Sequence, residues 1–251
     1  MNRNGDRLAP PEHSAPRGGS DISSAAVSPI GRLPLTETES VLYSLARMLE
    51  QRDSHTAGHC ERLAYSAVSL GAAMRLDSQS LLLLYVGGCL HDVGKVSIPD
   101  SVLFKPGKLN GEEWRVMRAH PVRGEEICRP LVSLGPVLPL IRHHHERWDG
   151  TGYPDGLRGQ KIPLLARVLQ VVDIYDALTN PRPYKQAFTG ERALEILHQE
   201  SERGWRDREI AELFIRLQQA NLSTSPLNIG PVKAPATVLT SLRNLQTQLT
   251  H

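Results

Sequence analysis

Aromatic side chains are scarce in this chain, at 5% of its residues, and they are not interleaved with basic ones. That pattern offers no stacking platform for a single-stranded nucleic acid. An excess of one charge is also missing. The formal net charge is only +2, too little to favour a phosphate-tracking surface, so no nucleic-acid polymer is expected as a partner. No apolar run approaches the roughly 20 residues that span a bilayer. The longest, Leu81 to Val86, is far shorter, and no membrane association is expected. Arg3 and Arg7 have no apolar stretch behind them, so no secretory signal is expected and the protein is expected to be cytoplasmic. Cys60, Cys89 and Cys128 are too few and too widely spaced for a Cys-x-x-Cys metal or redox motif. They are expected to be reduced core thiols, with Cys60 packed away from its neighbour His59.

The length of 251 residues allows one domain with tails. Residues 1–35 are rich in Pro, Gly, Ser and Ala. They cannot bury enough apolar surface to offset ordering entropy, and a disordered tail is expected. Residues 36–225 carry apolar positions at helical spacing. Helices are expected to open at Thr36, to run from Ser54 to Met74, and to run from Asp77 to His91-Asp92. Pro99 to Gly111 is expected to be a loop. Asn110 then caps a helix, with Glu113 completing a capping box. Further helices are expected over Val137–His145, from Pro163 to Leu178, from Thr189 to Glu202 and from Asp207 to Ala220. Residues 226–251 read as a Pro-containing linker and a short helix, Thr237 to Leu249. No useful stretch alternates with period two, so the expected fold class is all-α.

What the chain does have is histidine, concentrated in one region. Seven of the ten histidines lie between His55 and His145. The pair His91-Asp92 ends an apolar run, and His59, His120, His143-His144-His145-Glu146 and Asp173 recur around it. The intervals from His59 to His91, His120, His144 and Asp173 are 32, 29, 24 and 29 residues. Each is about one helix plus its connection, so each ligand can come from a different helix of one bundle. Mixed imidazole and carboxylate sets suit Mn, Fe, Zn or Ni better than Mg or Ca. A carboxylate can bridge two cations where an imidazole does not, which makes Asp92 the natural bridge. Two adjacent metals favour phosphoester hydrolysis as the reaction class. Lys95, one helical turn past His91, carries a point charge suited to phosphate. Arg182-Pro183-Tyr184-Lys185 adds two more cations. Gly150, Gly152 and Gly156, with Pro154, form a turn-rich loop where backbone can approach a ligand.

Three segments together resemble the HD-GYP family of cyclic di-GMP phosphodiesterases, a branch of the HD metal-dependent phosphohydrolases. They are His91-Asp92-Val93-Gly94-Lys95, the run from His144-His145-Glu146 through Gly152-Tyr153-Pro154, and Asp173-Ile174-Tyr175-Asp176-Ala177-Leu178. The resemblance extends from Gln51 to Leu217 and includes Arg52-Asp53, His120-Pro121 and Arg182-Pro183-Tyr184. It implies an HD-type helical bundle with a buried multi-metal site. The implied metal ligands are His59, His91, Asp92, His120, His144, His145 and Asp173, with Asp92 bridging two divalent ions, iron or manganese. It further implies that Lys95 contacts the scissile phosphate and that Tyr153, Arg182 and Lys185 hold the substrate. His143 falls outside the implied ligand register and is expected to be structural or to support a ligand. Where some members carry a Glu that helps hold a third metal, this chain has His55, and a two-metal site is expected. The implied activity is hydrolysis of cyclic di-GMP to pGpG or onward to GMP. The alternatives are another cyclic dinucleotide, such as a cyclic GMP-AMP, and a catalytically silent sensor. The Gly-Tyr-Pro loop is associated in the family with protein partners such as diguanylate cyclase domains.

Overall fold

The structure, a computed structural model, describes residues 42–46, 48, 58–180 and 186–224. The expected tail at 1–35, the segment 226–251, His55 and the Arg182 to Lys185 turn lie outside the described residues. A helical segment at 42–46 contributes buried Leu42, Tyr43 and Ala46, while Leu45 and Met48 are exposed. Nine further α-helices follow among the described residues. They are α1 (His59–Ala73), α2 (Ser78–Leu90), α3 (Asp100–Leu103), α4 (Gly111–Met117), α5 (His120–Cys128), α6 (Leu138–His143), α7 (Leu164–Thr179), α8 (Gly190–Glu202) and α9 (Arg208–Thr224). The described residues contain no β-strand, only one isolated antiparallel bridge between Asp149 and Arg158.

The centre of the bundle is built from helices that are apolar on more than one side. α2 buries Leu81, Leu84, Tyr85, Val86 and Leu90, leaving no polar face to solvate, as expected of a helix enclosed by others. It pairs with α1 through a short turn in which Arg75 adopts a left-handed φ of 60°. Gly88 sets the spacing of the pair, since a Cβ there would lie 2.7 Å from the Ala64 Cα. α7 crosses this pair and buries Val168, Leu169, Val171 and Val172. α8 and α9 close the far side with Ala193, Leu194, Leu197, Ile210, Ala211 and Phe214. Each such aliphatic or aromatic residue contributes roughly 1.5–3 kcal/mol on burial.

Local signals fix the helix ends. The Asp77 carboxylate accepts from Ser80 N at 2.7 Å. Asn110 and Glu113 form both arms of the expected capping box. The helix expected from Ser54 begins at His59, after Gly58 at a left-handed φ of 74°, and the one expected over Val137–His145 spans Leu138–His143; two further features differ from the sequence expectation. The Pro99–Gly111 stretch contains one helical turn, α3, because Pro99 presets the chain and Asp100 sits favourably at the helix N-terminus. The segment after Asn110 is broken at Arg118 and Ala119, and a new helix starts at His120. Pro121 explains the restart. Its ring nitrogen has no hydrogen to donate, so it is accommodated in the first turn of a helix rather than in the interior.

Candidate metal centre

The helix boundaries carry the ligand-type residues. His59 is the first residue of α1, His91 directly follows α2, His120 opens α5, and His144 directly follows α6. Three of these rings are held in one way. His91 Nδ1 meets Gly88 O at 2.9 Å, His120 Nδ1 meets Met117 O at 2.9 Å, and His144 Nδ1 meets Ile141 O at 2.8 Å. A carbonyl only accepts, so each Nδ1 carries a hydrogen and each Nε2 is the nitrogen turned toward the interior.

At the start of α1, His59 has no preceding turn of its own helix to supply such a carbonyl. Its Nδ1 donates instead to Asp176 Oδ2 at 2.6 Å. Asp176 also accepts from Arg62, from Nε at 2.9 Å and from Nη2 at 3.3 Å. Burial pushes the Asp176 carboxyl up, but these two donors outweigh it and hold the pKa below its ordinary value. A carboxylate behind a histidine in this way fixes the ring and raises its basicity. Asp176→Asn is therefore expected to weaken divalent-ion binding about 10–100-fold with all seven ligand-type side chains retained. Titration with Mn(II) would measure it, and an unchanged affinity would remove Asp176 from the site.

The side chains fall into two groups whose potential ligand atoms lie within 4.8 Å of one another: Asp92, His120, His144 and His145 in one, His59, His91 and Asp173 in the other. Asp92 links them. Its Oδ1 lies 3.2 Å from His120 Nε2 and 3.9 Å from His144 Nε2, while its Oδ2 lies 3.2 Å from His91 Nε2. On the far side of His91, His59 Nε2 faces Asp173 Oδ1 at 3.6 Å. His91 Nε2 and Asp92 Oδ1 are buried without a hydrogen-bond partner. Such orphaned atoms are costly in a protein interior, and shared cations between the groups would satisfy them. The donor set thus fits divalent metal ions.

The electrostatics match that use. Burial holds His144 and His145 well below the ordinary imidazole value, reinforced by neighbouring rings, so both are neutral and able to donate a lone pair. For Asp92, Lys95 and His91 outweigh burial and keep the carboxylate ionised. Burial lowers His91, but Asp92 beside it outweighs the effect and lifts the pKa to about 9. In the metal-free protein His91 is thus protonated at neutral pH, and that proton stabilises the fold below the unfolded value near 6.5 and is lost as pH rises through about 9. A metal must displace it. Divalent-ion affinity is therefore expected to rise with pH from 6 to about 9, with proton release on binding. Calorimetry in buffers of different ionisation enthalpy would detect the release, and a pH-independent affinity would contradict it.

Lys95 lies in the 3-10 turn Val93–Ser97, and its ammonium donates to Asp92 Oδ2. Tyr153 reaches the same place from the glycine-rich loop, its ring stacked on His145 at 4.8 Å and 29°. Burial raises the Tyr153 hydroxyl, so it stays protonated. The loop is anchored by Glu146, a fully buried carboxylate that accepts from Asp155 N at 2.7 Å and Leu157 N at 3.0 Å. Gln170, from α7, donates to the carbonyl of Glu146 and to that of His144 at 3.3 Å. His143 lies outside both ligand groups, with Nδ1 3.8 Å from Glu146 and 3.5 Å from Asp155. Cys60, Cys89 and Cys128 are buried, form no disulfide and lie in none of these groups. In the sequence Glu146 stands among the ligand-type residues beside the triple His, and neither Asp176 nor Gln170 has an assigned role. Asp176 carried a signal, since it follows Asp173 by about one helical turn and shares its face.

A protein-family profile described as HD domain matches residues 43–210. The chain is 43% identical over 161 residues to the cyclic di-GMP phosphodiesterase response regulator RpfG of Xanthomonas campestris, covering 62% of this chain and 42% of that protein. It is 34% identical over 169 residues to the 3'3'-cGAMP-specific phosphodiesterase 3 of Vibrio cholerae, covering 66% and 37%. The chain thus spans about two-fifths of the length of these relatives. Among solved structures, the fold is similar to that of the cyclic GMP-AMP specific phosphodiesterase V-cGAP3 of V. cholerae. The TM-score is 0.57 at 18% identity, over 84% of this chain and 59% of that one. It is also similar to Bd1817, an HDG"Y"P protein of Bdellovibrio bacteriovorus, with a TM-score of 0.53 at 18% identity over 73% and 54%.

Proposed function

Because the chain belongs to the HD-domain family, within its HD-GYP branch, we propose that it is a metal-dependent phosphodiesterase that opens cyclic di-GMP to linear pGpG, with GMP as a further product. The observation that carries this reading is Asp92, whose two carboxylate oxygens face separate histidine groups. The ligands are His59, His91, Asp92, His120, His144, His145 and Asp173, and the ions are two, iron or manganese. Paired divalent ions supply Lewis acidity and a water-derived nucleophile for in-line displacement at phosphorus. The chain's own groups orient the reaction. Lys95, already beside Asp92, supplies a cation where charge grows on the phosphoryl oxygens. Tyr153, protonated and fixed on His145, offers a hydroxyl donor at the rim. The wall of buried side chains limits competing water. Water adds to phosphorus, the bond to the 3′ oxygen breaks, and that oxygen takes up a proton.

A second substrate, 3'3'-cGAMP, is to be measured in parallel because relatives named for each activity align over similar lengths of this chain, 161 and 169 residues. Arg182 and Lys185, proposed to hold the substrate, lie outside the described residues. No helix of the described residues is long and apolar enough to cross a membrane. The test is turnover of both cyclic dinucleotides by protein purified without oxygen and loaded with Fe(II) or Mn(II), with products separated by chromatography. Formation of pGpG or GMP supports the reading. Folded, metal-loaded protein that leaves both substrates intact would overturn it and favour a sensor.

A further inference from the structure

Arg118 follows α4 directly and is exposed. Its guanidinium carbon lies 5.7 Å from the centre of the Trp114 ring and 5.3 Å from that of Tyr153. Tyr153 in turn is stacked on His145. A continuous row of contacts therefore leads from the ligand group to a cation at the rim. Several other arginines of the site region are paired with carboxylates, and Arg147 instead lies over Trp205 with its guanidinium carbon 4.2 Å from the ring centre. Arg62 is bound to Asp176, Arg142 to Glu125 and Asp155, and Arg206 to Glu200. Arg118 has no carboxylate within ion-pair distance among the described residues. Its charge is supported by two aromatic faces, which attract a cation without neutralising it. The planar fork of N–H donors is left for a ligand, and that fork matches phosphate.

The position of Arg118 limits which phosphate it can serve. Lys95 stands against Asp92 at the centre itself, whereas Arg118 is set back by the width of the Tyr153 ring. A cyclic dinucleotide carries two phosphodiesters on opposite sides of one macrocycle. When one is held for cleavage, the other projects away from the centre, where a cation set back from the metal ligands can meet it. Resting on the phosphodiesterase reading above, we propose that Arg118 grips this second, uncleaved phosphodiester, with Trp114 and Tyr153 holding the guanidinium in place.

The experiment compares wild type, Arg118→Ala and Arg118→Lys as full-length, Mn(II)-loaded protein. The substrates are cyclic di-GMP, with two phosphodiesters, and bis(p-nitrophenyl) phosphate, with one. Arg118→Ala is expected to raise KM for cyclic di-GMP about tenfold, with a much smaller change in kcat. The loss in kcat/KM should be several-fold greater for cyclic di-GMP than for the single-phosphate probe. KM should also depend less on salt than in wild type, because a phosphate-binding cation has gone. Arg118→Lys should recover part of the affinity through its charge. An unmoved KM, or equal losses on both substrates, would overturn the assignment of Arg118 while leaving the phosphodiesterase reading intact. Wild type that cleaves the probe but no cyclic dinucleotide would instead defeat the reading on which the assignment rests.

Discussion

Asp92→Ala is expected, on the two-ion phosphodiesterase reading proposed above, to lose both divalent ions and to reduce turnover by about 10³-fold or more. The size of the effect follows from the double use of one carboxylate. One oxygen faces His120 and His144, the other His91 and Lys95. Its removal deprives both ion positions of their shared anion. It also strips the buried His91 of the carboxylate that outweighs burial, leaving Asp173 as the remaining group that favours the protonated ring. Asp92→Asn is the sharper variant, since it keeps the shape and removes only the charge. Elemental analysis for metal per chain, alongside turnover, tests the prediction. Retention of two ions per chain in Asp92→Ala would refute the bridging role.

Gly94→Ala is expected to destabilise the protein by about 3 kcal/mol or more. An ideal Cβ on Gly94 would lie 2.0 Å from His120 O, 2.4 Å from Gly124 N and 2.9 Å from the His120 carbonyl carbon. All three are backbone atoms, so no side chain can rotate away. Relief requires the Val93–Ser97 turn and α5 to separate, which displaces Lys95 and His120 together. The loss corresponds to a drop in Tm of roughly 6–12 °C for a domain of this size. Gly111→Ala is the control, because a Cβ there meets nothing within 4 Å. Thermal unfolding that places Gly94→Ala within about 1 kcal/mol of wild type would show that the packing adjusts.

The ligand-type residues were legible because the chemistry requires rare residue types and the fold spaces them about one helix apart. His59, His91, His120, His144, His145 and Asp173 come together as their spacing suggested. The all-α class was equally legible, from helical periodicity and from Asn110, which caps as the sequence implies, while Asp77 and Thr189, expected as helix starts, prove to cap as well. Contacts that depend on how one helix lies across another were not legible. Asp176 reaches His59 only because α7 crosses α1. Arg118 meets Tyr153 only because the chain breaks before Pro121 and the glycine-rich loop folds back over it. Glu146 reads in the sequence as one more acidic neighbour of the histidines, yet its carboxylate turns away to hold the loop through backbone N–H groups. The short helix α3 lies below the length at which periodicity can be recognised.

The hydrogen bond from His59 to Asp176 joins residues 117 positions apart in the chain. Closing a loop of that length costs about 4 kcal/mol of chain entropy beyond its constant part, and the bond repays only a fraction of it. The two ends are therefore brought together by helix packing, and the second ligand group is complete only when nearly the whole bundle has assembled. Any ion that recognises this group recognises the folded chain and not the unfolded one. Its binding shifts the folding equilibrium by RT ln(1 + c/Kd), where c is the free ion concentration, less whatever the unfolded chain binds, so that apparent stability rises with c. Supply of such an ion would then act as a thermodynamic control on how much of the protein persists.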